Sequence, residues 1–342
     1  MTDPDVPGTG TPPGHEAVTA RLEGHRRELT GYCYRMLGSV FEAEDAAQET
    51  MVRAWRGADR FDGRASLRTW LYRIATNVCL DALAGRERRA RPMDLFGPAV
   101  GATSPGAALD ASAWIEPFPA GPGAVAVDPA EAAETGESVR LAFVAALQHL
   151  APRQRAVLLL REVLGFSAQE VADVQGSTVA SVNSALQRAR AVLAARRREG
   201  AGGAPTATGA PVAAVGEATR RALADRYAAA FSGFDMEALS MLLHVDATLS
   251  LAPHTLWMRG SAEIRAWLTG PAVGCRGSRL VPTTANGSPA FGQYRRRADG
   301  TGFDPWALQV VEVSGDAVTD ISVFRDTERL FPLFGLPLHL DA

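Results

Sequence analysis

The chain of 342 residues has no lysine, and all 35 of its basic residues are arginine. A GC-rich coding sequence accounts for that bias more simply than a selected role for guanidinium. Cysteine is scarce too. Cys33, Cys79 and Cys275 form no CxxC pair, which argues against a disulfide framework and against structural zinc, so no metal or other cofactor is expected. No apolar run approaches a membrane span. The polar, Pro/Gly-rich start (MTDPDVPGTGTPPG) lacks a signal-peptide core, so a soluble cytoplasmic protein without membrane contact is expected. A formal charge of −3 would not suggest a nucleic-acid binder. Its distribution does: residues 21–91 carry 14 Arg against 10 acids and 152–198 carry 8 against 3, while 92–139 carries 7 acids and no Arg. Two basic blocks flank an acidic one.

The central stretch is Arg60–Asp81, RFDGRASLRTWLYRIATNVCLD. On a helix of 3.6 residues per turn, Leu67, Leu71, Ile74 and Val78 fall on one line, the expected core side. Ser66, Trp70, Arg73 and Asn77 repeat that spacing on the adjacent flank. A lone Trp is more often a core anchor. A Trp beside a cation and an amide, after the loop Phe61–Ser66, also fits a surface on which bases stack and hydrogen-bond.

Upstream, Val18–Leu37 has helical periodicity. Ser39 and Glu42 then form a capping-box pattern ahead of a helix with Ala47, Met51, Ala54 and Trp55 on its apolar side. Asp45, Gln48, Glu49 and Arg53 lie outside, consistent with either a solvated face or a docking surface. Downstream, Gly97–Pro129 reads as a linker. Its Trp114–Pro119 aromatic segment suggests a docking point. Pro152 then opens a helix that stops at Gly165, Ser167 and Glu170 cap the next one, and Gln175–Ser177 turns into a last helix over Thr178–Arg197. This is a helix-turn-helix pattern. Val179, Val182, Leu186, Ala189 and Leu193 make the last helix's buried stripe. Ala180, Asn183, Ser184, Gln187 and Arg188 face outward, a mix suited to reading a major groove.

Ala43–Thr50 with Arg53–Trp55, the run Phe61–Asn77, and Leu150–Arg155 with its helix-turn-helix together resemble the sigma-70 superfamily, in particular its extracytoplasmic-function (ECF) group. The resemblance implies two all-α domains: region 2, a helical bundle, and region 4, a helix-turn-helix. It also implies core RNA polymerase and promoter DNA as partners. Asp45, Gln48, Glu49 and Trp55 would grip polymerase. Arg64, Ala65 and Ser66 would capture a flipped −10 base, and Trp70, Arg73 and Asn77 would open and read the −10 element. Asn183, Ser184, Gln187 and Arg188 would read the −35 element. Asn183 and Ala185 stand where basic residues are common, so either the −35 preference is unusual or region 4 holds DNA more weakly. The acidic linker resembles the connector that threads toward the RNA exit path, where like charge would let RNA displace it.

Beyond a second linker, two helices, a strand, another helix and four strand-like runs predict an α+β cone similar to SnoaL-like members of the ketosteroid isomerase superfamily. An ECF factor ending in such a domain resembles the SigG- and SigJ-like subgroup. The expected organisation is a disordered start over 1–14, region 2 over 15–91, an acidic linker over 92–133, region 4 over 134–198, a linker over 199–216 and the cone over 217–342. Asp246, His254, Trp257, Trp267, Tyr294, Trp306 and Asp320 are its candidate pocket residues. The reading is a non-enzymatic transcription initiation factor whose cone docks on the sigma regions and regulates them, with no separate anti-sigma factor required. The alternatives are a helix-turn-helix regulator acting on duplex DNA alone, and an enzyme using the cone as a catalytic or ligand-binding site. The apolar Phe331–Leu338 tail is expected to dock on the protein body.

Overall fold

The computed structural model describes residues 15–61, 63–101, 103–119, 140–201 and 216–341. The expectations for 1–14, for 120–133 and for most of the second linker fall outside them. The chain divides into two compact units, residues 1–89 with 144–196 and residues 90–143 with 197–342.

The first unit is helical. α1 (His15–Leu37), α2 (Val40–Gly57) and α3 (Leu67–Leu83) form one bundle. α4 (Leu141–Gln148), α5 (Pro152–Leu158), α6 (Ala168–Gln175) and α7 (Val179–Ala201) follow, with α5 running on as a π turn over Leu159–Val163. Local chemistry sets the boundaries. The Ser39 hydroxyl accepts from the Glu42 amide at 3.3 Å and that of Ser66 from the Thr69 amide at 3.0 Å. Ser167 and Glu170 cap α6 reciprocally, at 3.2 and 2.7 Å. Gly176 ends α6 at φ 59°, the left-handed conformation that a residue with a Cβ resists.

The faces of α3 and α2, like that of α7, differ from those expected. On α3, Leu67, Leu71 and Val78 are buried but Ile74 is only half-buried; Tyr72, Ala75, Thr76 and Cys79 complete the covered side. The face is rotated because α6 packs on α3, and the Phe166 ring just before α6 meets Tyr72 at 5.1 Å. Tyr32 meets Tyr72 from the other side at 5.1 Å. On α2, Trp55 is 49 % exposed, although the periodicity placed it with the core. Met51 and Ala54 fill that side instead.

Arg155, from the Leu150–Arg155 motif, is a buried clamp. It donates to the Gln148 side chain at 2.6 Å, to the Gln148 and Leu150 carbonyls at 3.2 Å, and to the Met36 carbonyl at the end of α1. Burial pulls its pKa down to about 10, so it stays charged at neutral pH, held by these acceptors.

The second unit is α+β. α8 (Glu217–Ser232) and α9 (Met236–Leu242) precede β1 (Leu243–Ala252) and β2 (Trp257–Arg259); α10 (Ser261–Thr269) leads to β3 (Arg279–Ala285), β4 (Ser288–Arg296), β5 (Gly302–Ser314) and β6 (Ala317–Phe324). α11 (Thr327–Leu333) and the short β7 (Leu340–Asp341) close the chain. The sheet order is β2-β1-β6-β5-β4-β3, with β7 on the end of β5. Its hairpins follow local turns: Asn286-Gly287, both at positive φ, joins β3 to β4. β1 instead runs parallel to β6. No turn links these two strands, so nothing local dictates an antiparallel pair.

Tyr227, Phe231, Ile264 and Trp267 from the helices pack with Leu249, Phe291, Val311 and Ile321 from the strands to form the core. The period-two alternation of β4 turns Gly292 and Tyr294 to the opposite face. There Phe331 packs against the Tyr294 ring at 5.2 Å and Leu336 covers Gly292, so the apolar tail docks through Phe331, Phe334 and Leu336, while Leu338 stays exposed.

Residues 96–119, a linker by composition, lie along this unit. Ala99 donates to the Trp257 carbonyl at 2.8 Å and Leu109 to the Pro253 carbonyl at 2.9 Å. Thr255 donates to the Ala107 carbonyl at 2.9 Å, and Phe118 exchanges two hydrogen bonds with Asn286, at 2.8 and 2.9 Å. Gly106 sits at φ 74° so close to β1–β2 that a Cβ there would meet Thr255 Oγ1 at 2.6 Å. Trp114 and Ile115, the aromatic segment's first residues, are buried.

Candidate functional site

Three surfaces carry the candidate residues. The first is on α3. The Trp70 ring is half-buried, tilted against Phe61 with ring centres 5.1 Å apart and its edge over Gly57. It is therefore braced from below and open above. Arg73 and Asn77, one and two turns on, are exposed and have no side-chain partner among the described residues. Arg64 and Ala65 are exposed in the preceding loop, while the Ser66 hydroxyl is occupied as the helix cap. The amide, cation and aromatic face thus stand together on one helix, an arrangement compatible with stacking and hydrogen bonding of bases.

The second surface is on α2. Asp45, Gln48 and Glu49 are exposed. Gln48 and Trp55, with Leu22, Arg26, Met51 and Val52, line a shallow groove between α1 and α2. Glu49 is paired with Arg53 at 2.7 Å. Burial and then the neighbouring Asp45 push the Glu44 carboxyl above its ordinary range.

The third surface is α7, the second helix of the helix-turn-helix. Val182, Ala185, Leu186 and Ala189 are buried, whereas Val179 and Leu193 are only half-covered. Asn183, Ser184, Gln187 and Arg188 are all exposed, and Arg188 donates to the Ser184 hydroxyl at 2.6 Å.

In the second unit the cavity gathers only part of the expected set. A pocket of about 250 Å³ is lined by Trp267 and Trp306. The other candidates are engaged elsewhere. Asp246 pairs with Arg259 at 3.0 Å, and Asp320 accepts from the Thr248 and Ser322 hydroxyls. Tyr294 points away and donates to the Pro337 carbonyl at 2.8 Å. His254 and Trp257 hold the connector, bonding the Gly106 and Phe96 carbonyls at 3.2 and 2.7 Å. Sequence reading missed Tyr227, Cys275, Gln293, Arg295, Gln309 and Arg325, which line the pocket. Alternation along β4 carried a usable signal, since Phe291, Gln293 and Arg295 share a face.

The helical unit, with its helix-turn-helix and the exposed flank of α3, is that of a sigma-type transcription factor, as its matches to known families show. Residues 22–89 match the family model Sigma-70 region 2 and residues 140–193 match Sigma-70, region 4. The chain is 43 % identical over 324 residues to the ECF RNA polymerase sigma factor SigG of Mycobacterium tuberculosis, covering 93 % of this chain and 84 % of that one. It is similar to the crystal structure of the extracytoplasmic-function sigma factor SigJ of the same species, with a TM-score of 0.57 at 22 % identity over 93 % of this chain and 99 % of that one. The chain belongs to the ECF group of RNA polymerase sigma factors. A further likeness is to RpoE of Bartonella quintana in complex with the anti-sigma factor NepR, with a TM-score of 0.35 at 23 % identity over 52 % of this chain and 94 % of that one. The comparisons give no support to the expectation that no separate anti-sigma factor is required. Among the described residues no helix is long and apolar enough to cross a membrane.

Proposed function

We propose that this sigma factor docks on core RNA polymerase through the α1–α2 groove, with Asp45, Gln48, Glu49 and Trp55 as its contacts, and starts transcription in the cytoplasm. Trp70 stacks on the exposed −10 strand while Arg73 and Asn77 read it, and Arg64, Ala65 and Ser66 receive the flipped base. Asn183, Ser184, Gln187 and Arg188 read the −35 element. The observation that carries this is the open flank of α3, where Trp70, Arg73 and Asn77 share one face and, among the described residues, Arg73 and Asn77 have no side-chain partner.

The packed first unit is a closed state. Duplex between −35 and −10 elements spans roughly 85 Å, whereas a compact body of about 140 residues has a radius of gyration of roughly 14 Å. α3 and α7 in one such body do not reach both elements. Regions 2 and 4 separate on engaging a promoter, and the Arg68, Phe166 and Arg155 contacts are what must break. The second unit tunes that opening because it holds residues 96–119, the segment joining the two regions. The test is run-off transcription with core polymerase, comparing the full chain with a truncation ending at Arg198. Absence of core binding would defeat the sigma reading; equal output from both forms would defeat the tuning role.

A further inference from the structure

The cavity of the second unit has an unusual charge balance. Arg295 and Arg325 place their guanidinium carbons 3.2 and 3.5 Å from the ring centre of Trp306. Two groups that close to one ring centre must lie on opposite faces, so the indole is clamped between two cations. Among the described residues neither guanidinium is paired with a carboxylate, and none lines the cavity. Among the described residues the one hydrogen bond of Arg295 is to the Cys275 sulfur, at 3.1 Å, and the Nε atoms of both arginines are buried without an acceptor. Burial, followed by the charge of Arg295, pushes the Arg325 guanidinium below its ordinary value. Two like charges on one half-buried ring repel each other, and an anion that meets both relieves that repulsion.

The rest of the lining sets the size and character of that anion. Phe231, Leu249, Trp267 and Ile321 supply an apolar wall. A relay runs from the Tyr227 hydroxyl to Gln309 at 2.8 Å, from Gln309 to Gln293 at 2.9 Å and from Gln293 to Ser278 at 3.1 Å. Each amide nitrogen in it keeps a second N–H for a ligand oxygen. The volume of about 250 Å³ falls just below the usual span of ligand pockets, roughly 300–1,000 Å³, which limits the ligand to a small molecule. Thr103 and Pro105 of the connector also line the cavity, and the connector is anchored on either side at Ala99 and Leu109.

We propose that this cavity binds a small organic carboxylate with an apolar or aromatic body, its carboxylate at the edge of the Trp306 indole where the N–H groups of both Arg295 and Arg325 can reach it, and that the connector closes over it. Occupancy and docking of the connector are then linked: a ligand that fills the cavity adds contacts to Thr103 and Pro105 and holds the segment down. Binding is read on the free full-length protein, so its failure is distinguishable from failure of the transcription reading, which requires core polymerase.

The probes are 2-naphthoate and its neutral isostere 2-naphthamide, titrated by calorimetry. The acid is expected to bind at least tenfold more tightly than the amide. Arg295→Gln or Arg325→Gln should remove that preference while leaving amide affinity within twofold. The paired probes on the unaltered chain keep the test valid even if a variant misfolds. Equal binding of acid and amide, absence of acid binding at millimolar concentration, or a preference that survives the double substitution would overturn the site. Hydrogen exchange reads the lid. Naphthoate should slow the Ala99 and Leu109 amides severalfold, and unchanged rates would overturn the coupling.

Discussion

Arg68 offers the most direct handle on the closed state. Its guanidinium carbon stands 4.5 Å from the Phe166 ring centre and 5.3 Å from that of Tyr72; it donates to the Leu164 carbonyl at 3.3 Å and pairs with Glu28 at 3.5 Å. Only the Phe166 and Leu164 contacts cross from region 2 to region 4. The side chain is 33 % exposed, so the cation–π contact is taken at its exposed value, about 0.5–1 kcal/mol, and the hydrogen bond at about 1 kcal/mol. Arg68→Ala should therefore weaken closure by about 1–2 kcal/mol, raising the ratio of open to closed molecules roughly 5- to 30-fold. Glu28→Gln, which leaves both crossing contacts in place, should change it little. The assay is single-molecule energy transfer between dyes on α1 and α7, alongside promoter binding with core polymerase. An open fraction unchanged within twofold refutes the latch. An open fraction that rises without any gain in promoter binding refutes the idea that closure limits engagement.

Other substitutions test separate parts of the molecule. Asn77→Ala should lower discrimination among −10 sequences by about 1–3 kcal/mol, the scale of one base contact, with core binding intact; an unfolded domain or lost core binding would make Asn77 structural. Gly106→Ala forces a methyl to within 2.6 Å of Thr255 Oγ1 at a φ of 74°. It should loosen the connector by about 1–2 kcal/mol, seen as faster exchange at the Leu109 amide with the cone's melting point unchanged. Glu312 is buried on β5 with Oε1 lacking an acceptor or donor partner, and burial pushes its carboxyl above the usual range. The folded state then binds a proton that the unfolded state has released, so stability falls as pH rises from the ordinary carboxylate range through the raised folded value. Glu312→Gln should flatten that dependence and raise neutral-pH stability by about 1 kcal/mol; a melting point that keeps its pH slope would refute the assignment.

Features with a cause within a few residues could be read from the sequence. Ser39, Ser66, Ser167 and Gly176 act as the helix boundaries their local chemistry implies, and Asn286-Gly287 makes the hairpin it spells. The α3 flank was legible for the same reason, since one helical period fixes Trp70, Arg73 and Asn77. Contacts distant in sequence were not. Tyr72 is buried by Phe166, a residue nearly a hundred positions away, and no periodicity within α3 announces that. The pocket is hidden for a similar reason. Residue type points to aromatic and acidic side chains, yet strand phase decides orientation: Tyr294 faces the tail while Arg295 faces the cavity. Trp306 is placed by a bulge, because Tyr294 pairs with Pro305 and Gln293 with Ala307, leaving the tryptophan as the extra residue. Composition alone hid the docking of residues 96–119. Only the aromatic Trp114 and Phe118 hinted at it.

The strapping of residues 96–119 across the cone also has a stoichiometric consequence. Clamp and clamped segment belong to one polypeptide, so they meet at a fixed one-to-one ratio and at an effective concentration set by chain length. Dilution, copy number and growth rate then leave the docked fraction untouched. A control exerted this way would have a threshold written into the chain itself, and a cell would retune it by point mutation rather than by changing how much protein it makes.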